Sequence, residues 1–153
     1  MGAGGACRGI LAPILEHSPH HLILVNRTSN KASALAAEFG GFGDIEGCGF
    51  ADIEGQQFDL IINATSASLT DEMPPLDEDL LADGGVCYDL AYGNRPTAFV
   101  RWGMEHNAKK SLDGLGMLVE QAAEAFFLWR SIRPQTKPVI EALNAARRFA
   151  TEV

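Results

Sequence analysis

The sequence is short of cysteine, of aromatic residues and of cations, and these shortages exclude several classes of protein. Its three cysteines, Cys7, Cys48 and Cys87, are an odd number with no C-x-x-C spacing, which provides neither a disulfide framework nor a zinc site. They read as buried or partly buried free thiols of a reducing compartment. Lys and Arg number 12 against 20 Asp and Glu, for a formal net charge of −8. A field of that sign repels polyanions and argues against broad binding of nucleic acid or of an anionic membrane, although a few local cations could still hold a small anion. No apolar run approaches the roughly 20 residues of a membrane span, and no secretory h-region is present. A cytoplasmic location is therefore expected. The four histidines (His17, His20, His21 and His106) lack ligand spacing beside cysteines or acids and read as loop or surface residues. No Ser-His-Asp or Cys-His set falls in a recognisable nucleophile elbow, so neither a metal site nor a nucleophile is expected.

What is present suits one domain with a real core: 153 residues, 46% of them hydrophobic. Helical spacing of Ile10, Leu11, Ile14 and Leu15 predicts a helix from Ala6 to His17, kinked or loosened at Pro13. HLILV (His21–Val25) reads as a strand buried on both faces, and Ser29–Phe39 as a helix stopped by Gly40-Gly41. A short strand is expected near Cys48–Phe50 and a clear one at Phe58–Asn63 (FDLIIN). A polar loop with Pro74-Pro75 and a short acidic helix then lead to a strand at Gly85–Leu90. Further helices are expected around Thr97–Asn107, from Gly116 to about Ile132, and over about 138–150. The acids at Asp71, Glu72, Asp77–Asp79 and Asp83 read as a solvated face. Alternation of strands and helices implies a doubly wound parallel α/β sheet, a three-layer Rossmann-like arrangement.

The chemistry-bearing motifs lie at the ends of these strands. Gly2-Ala3-Gly4-Gly5-Ala6 fits a G-x-G-x-x-small turn entering a helix, where close backbone approach lets a pyrophosphate sit on the helix N-terminus. Glycine turns are common, so the turn alone is not specific. After the next strand, where an acid would favour NAD, stand Asn26, Arg27 and Thr28, with Lys31 one turn on. Two cations and two polar groups suit the 2′-phosphate of NADP. Asn63 and Thr65, in NATS at the end of FDLIIN, can line the nicotinamide-ribose side of the crevice or merely cap a strand. Asp89 and Tyr92, in YDLAYG, are delivered to the same edge. Met117 and Gln121, in DGLGMLVEQ, share a helix face, although taken alone Met117 reads more readily as core than as a cofactor contact, and Gln121 more readily as surface than as a ligand.

Taken together, GAGGACRG, NRTSNKA, NATS, YDLAYG and DGLGMLVEQAAEAFFLW resemble the C-terminal, NADP-binding half of shikimate dehydrogenase, in that family's order and over roughly Gly2 to Trp129. The resemblance is to the NADP-using biosynthetic type rather than to quinate-active, NAD-using relatives. It implies that Gly2, Ala3, Gly4, Gly5 and Ala6 bind pyrophosphate. Asn26, Arg27, Thr28 and Lys31 would clamp the adenosine 2′-phosphate, more loosely than the Arg often found in place of Lys31. Leu90, Gly114 and Met117 would border the nicotinamide, while Tyr92 and Gln121 reach the substrate. The implied reaction is reversible reduction of 3-dehydroshikimate to shikimate by NADPH, a step of chorismate and aromatic amino acid biosynthesis. The family's catalytic Lys and Asp belong to an N-terminal domain with no counterpart here, so no catalytic residue is expected in this chain, which alone would bind NADP(H) weakly and be inactive.

The whole of residues 1–153 is expected to be one NADP-binding Rossmann domain, whose last helix packs in the family on that other domain. The first strand is expected to be absent, which would leave its neighbours with unpaired edges or force them together. A rival reading is a non-catalytic NADP-binding or interaction module that self-associates through apolar helix faces. A glutamyl-tRNA-reductase-like domain is a third, disfavoured by DGLGMLVEQ.

Overall fold

A computed structural model describes residues 1–70 and 72–151; Asp71, expected on the acidic face, lies outside them. Helix α1 (Gly5–Glu16) buries Cys7, Leu11 and Leu15, spaced four apart on one stripe. Pro13 is exposed inside this helix and does not end it. Strand β1 (Leu22–Val25) is followed by α2 (Ser29–Phe39), which packs Ala32, Leu35 and Ala36 inward. Strand β2 (Ile45–Cys48) runs parallel to β1, with Leu22 opposite Ile45. Gly47 is needed there, because a Cβ would lie 2.3 Å from the backbone of Ala32. A 3-10 turn over Phe50–Ile53 follows, so the strand expected to reach Phe50 ends earlier, at Cys48.

Strands β3 (Phe58–Asn63), β4 (Leu81–Asp89) and β5 (Lys110–Leu112) form a second parallel sheet in that order. The acidic helix expected before β4 is not formed; the strand instead begins at Leu81. Leu80 and Leu81 are buried, and the Phe58 amide donates to Leu80 O. Pairing with β3 and burial of this apolar pair override the local helical leaning of LDEDLLAD. Helix α3 (Ala98–Glu105) buries Phe99, Val100 and Trp102, and Thr97 caps it by accepting the Val100 amide. His106, expected at the surface, stacks on Trp102 at 4.4 Å between ring centroids.

The two sheets share no ladder; their strand order is β2-β1 and β3-β4-β5. Between β1 and β3, at their C-terminal ends, lie Met1 and Gly2. The Gly2 amide donates to Val25 O at 2.7 Å, the Ala64 amide donates to Met1 O at 2.9 Å, and the Met1 amine donates to Ile62 O at 2.6 Å. The flanking strands are therefore not forced together. Residues 1–2 hold them apart in the lane that the doubly wound order assigns to a central strand.

Helices α4 (Leu115–Arg130) and α5 (Lys137–Thr151) pack on each other. Helix α4 buries Leu115, Val119 and Ala123, but leaves Leu128 (73%), Trp129 (79%) and the following Ile132 (65%) exposed. A half-buried ion pair, Arg147 to Asp113 at 2.6 Å, ties α5 to the turn that starts α4. Among the described residues no helix is long and apolar enough to cross a membrane.

Candidate functional site

The glycine turn is shaped by two opposite requirements. Gly2 has φ +99°, and a Cβ on it would meet Ala64 O at 2.8 Å. Conformation and contact together demand glycine there. Gly4 and Gly5, by contrast, have nothing within 4 Å of an added Cβ. Gly4 is the N-cap of α1, and no side chain caps the helix. The unsatisfied amides of the first turn, with the positive end of the helix dipole, thus face open space, an arrangement fitted to an anion. Gly2–Ala6, Asn26, Arg27 and Ala64–Ala67 line one cavity of about 550 Å³.

The cationic end of this cavity is set by the β1–α2 turn. The Asn26 amide donates to Cys48 O at 3.1 Å, and its Nδ2 donates to Thr28 O at 3.0 Å, fixing the turn to β2. Thr28 is the extended N-cap of α2, and the Lys31 amide donates to its carbonyl. Thr28 and Lys31 stand beside the cavity rather than in its lining. Arg27 and Lys31 are exposed, and neither forms an ion pair among the described residues. Arg8 and Arg133, elsewhere on the surface, are held by Glu38 and by Glu120 with Glu124.

The opposite wall is a turn organised by Asn63. Its side chain is fully buried and does not itself line the cavity. Asn63 Oδ1 accepts the Thr65 amide (3.1 Å) and the Thr65 hydroxyl (2.8 Å), and Thr65 Oγ1 accepts the Ala67 amide. This Asx-type turn presents Thr65 and Ser66 to the cavity. Phe50, Ala67, Glu72, Met73, Pro74 and Pro75 also line it, and sequence reasoning missed them as site residues. No spacing rule leads to Phe50. In sequence the Pro74-Pro75 pair reads as loop, and Glu72 as part of a solvated face.

The remaining expected residues lie further along the same sheet edge. The Leu90 amide donates to Asn63 O at 2.9 Å, and the Gly114 amide donates to Ala91 O at 3.0 Å. Gly114 is buried so close to Leu90 that a Cβ would sit 2.1 Å from Leu90 O. Met117 is half-buried in the first turn of α4. These three do not line the large cavity. Tyr92 lines a second cavity of about 460 Å³ with Leu118, Leu143 and Arg147, and Gln121 is exposed on α4. The structure therefore gathers the glycine turn, Asn26, Arg27 and Thr65 in one place but puts Tyr92 and Gln121 elsewhere. Burial raises the Cys7 thiol just behind the glycine turn, and raises Cys87 to about 11; neither has the depressed pKa of a nucleophile.

A parallel α/β fold with a glycine turn entering an uncapped helix, and a basic turn after the next strand, is Rossmann-like. Comparison with known proteins narrows this class. Residues 114–143 match the family described as Shikimate 5'-dehydrogenase C-terminal domain. The NADP(+) shikimate dehydrogenase of Methylococcus capsulatus is 63% identical over 150 residues, covering 98% of this chain and 54% of the relative. An Ael1 enzyme from Pseudomonas putida has a TM-score of 0.82 at 47% identity, over 93% of this chain and 52% of that one. A shikimate dehydrogenase in complex with NADP+ has a TM-score of 0.75 at 30% identity, over 97% and 52%. Over nearly its whole length the chain is similar to the C-terminal part of NADP(+) shikimate dehydrogenases, and it spans about half the length of the curated relatives it matches.

Proposed function

We propose that this chain is the NADP(H)-binding half of a shikimate dehydrogenase. The observation that carries the reading is the one cavity shared by the open amide turn Gly2–Ala6 and the exposed Arg27. The turn's amides would hold the pyrophosphate. Arg27, with Asn26, Thr28 and Lys31, would take the 2′-phosphate, for which a planar guanidinium is well matched. Thr65, held by Asn63, would face the nicotinamide ribose, and Leu90, Gly114 and Met117 would border the ring. Bound NADPH supplies a hydride for reversible reduction of 3-dehydroshikimate to shikimate. Tyr92 and Gln121 would approach that substrate from the cofactor side. The proton-transferring groups and most substrate ligands belong, in this reading, to the other half of the relatives' length, and no residue of this chain is assigned as catalytic. Three unpaired thiols suit the cytoplasm, and the acidic balance disfavours nucleic acid and anionic membranes as partners.

A second reading, a non-catalytic NADP-binding module that associates with another copy or partner, is favoured by the exposure of Leu128, Trp129 and Ile132. The test for NADP is a fluorescence titration with NADPH and NADH. A hydrogen bond to a charged group contributes about 1.5–3 kcal/mol, so NADPH should bind roughly 10–100-fold more tightly. Arg27→Asp should erase or reverse that preference. Equal affinity for the two nucleotides, or an unchanged preference in the variant, would overturn the assignment.

A further inference from the structure

Asp89, at the C-terminal end of β4, is fully buried and has no cationic partner among the described residues. Neutral donors surround its carboxylate instead. Oδ1 accepts the Ala91 amide at 3.0 Å and, more loosely, Asn63 Nδ2 at 3.4 Å. Oδ2 accepts the Ser68 hydroxyl at 2.5 Å and the Thr97 hydroxyl at 2.7 Å. These donors come from four different segments: the end of β3, the 3-10 turn over Ala67–Thr70, the loop after β4, and the cap of α3. A buried charge is costly unless its lone pairs are satisfied, and here donors converge on both oxygens. Only an acceptor-only side chain accommodates them together.

The segments joined this way include the candidate crevice wall. Asn63 Nδ2 also donates to Ser68 Oγ at 2.9 Å, while its Oδ1 sets the Thr65 turn. Ala91, fixed through its amide by Asp89, accepts the Gly114 amide through its carbonyl. Hydrogen bonds thus run from one carboxylate to Thr65 on one side and to Gly114 on the other. None of these side-chain bonds reaches the Gly2–Ala6 turn or Arg27: the start of the glycine turn is held by backbone bonds to Val25, Ile62 and Ala64, and Asn26 ties the Arg27 turn to β2.

We propose that Asp89 is a positioning residue that holds the Asn63–Ala67 turn and the Leu90–Ala91 loop in register, and so sets affinity for the nicotinamide-ribose half of the dinucleotide without affecting the adenosine half. The inference rests on the dinucleotide reading above. The test compares NADPH with adenosine 2′,5′-bisphosphate, which lacks the nicotinamide riboside, on the wild-type chain and on Asp89→Asn. The substitution turns one carboxylate oxygen into an amide donor, so that donor faces donor and a neighbouring N–H or O–H loses its acceptor. Misplacement of the supporting shell should weaken NADPH on the order of tenfold, the equivalent of one lost charge-assisted hydrogen bond. The bisphosphate affinity should stay unchanged. Ser68→Ala, which leaves the carboxylate its other donors, should give a smaller loss with the same selectivity, and it carries the test if Asp89→Asn fails to fold. An equal loss for both ligands would reveal general destabilisation and overturn the proposal, as would no loss for either. Wild-type protein that binds the bisphosphate with NADPH affinity unmoved by either variant leaves the dinucleotide reading standing and sinks the positioning role. Wild-type protein that binds neither ligand overturns both.

Discussion

Two glycines flanking the start of α4 should respond to alanine in opposite directions. Gly114 has φ −75° and ψ 6°, a conformation that alanine adopts freely, so any cost must come from contact. The added Cβ would lie 2.1 Å from Leu90 O and 2.7 Å from Leu90 C. Both atoms are backbone, and reaching even a tight contact requires the two segments to part by roughly 1 Å, an overpacking that costs about 3 kcal/mol. At about 2–4 °C per kcal/mol for a domain of this size, Gly114→Ala should melt roughly 6–12 °C below wild type. Gly116, two residues on, lies within the helix and has nothing within 4 Å of its Cβ position. Gly116→Ala should therefore gain about 1 kcal/mol of helix propensity and melt about 2–4 °C higher. Thermal melts followed by circular dichroism read both changes in one experiment. A Gly114→Ala melt indistinguishable from wild type, or a Gly116→Ala melt that falls as far as it, would refute the reasoning.

Other consequences follow from the same contacts. Gly2→Ala combines a left-handed φ with a 2.8 Å approach to Ala64 O; it should cost about 1–3 kcal/mol and abolish NADPH binding as read by nucleotide fluorescence, whereas retained binding would show that the turn tolerates a side chain. Burial raises the Cys87 thiol to about 11 from an ordinary 9.0. A raised folded-state pKa means stability that is fully present below the unfolded value and lost as pH rises through the folded one. Denaturant melts should thus lose roughly 3 kcal/mol between about pH 9 and 11. Cys87→Ala should remove that share of the alkaline slope and leave the part due to Cys7, Cys48 and Tyr88, which burial also raises; a slope unchanged by the substitution would refute the assignment.

The helices and the buried strands were legible because apolar spacing reports burial directly. Leu11 and Leu15 on α1, and Ile61 within FDLIIN, face the core as their patterns require. Strand β5 was not legible: Lys110-Ser111-Leu112 has no apolar alternation and becomes a strand only by pairing with Val86–Tyr88. The early start of β4 was hidden for the opposite reason, since LDEDLLAD is locally helix-like and only Phe58, distant in sequence, makes it extended. In the candidate site, spacing located the glycine turn and Arg27, because both depend on distance from a strand end. It mistook the place of Asn63, whose amide works from behind the wall that Thr65 presents. Phe50 and the Met73–Pro75 segment come to the cavity by tertiary folding, which leaves no local signature. Met1 and Gly2 carry a second task that no motif announces, bridging Val25 and Ala64 across the two sheets.

The central claim is that the Gly2–Ala6 turn and the Asn26–Arg27 turn form one site for an NADP dinucleotide. Titration of the ¹⁵N-labelled chain with NADP+, followed by amide chemical shifts, tests this residue by residue and tolerates weak binding. Saturable shifts are expected at Gly4, Gly5, Ala6, Arg27 and Thr65, with Leu128 and Trp129 unmoved. Shifts confined to the second cavity around Tyr92 and Leu143, or none at the glycine turn, would contradict it.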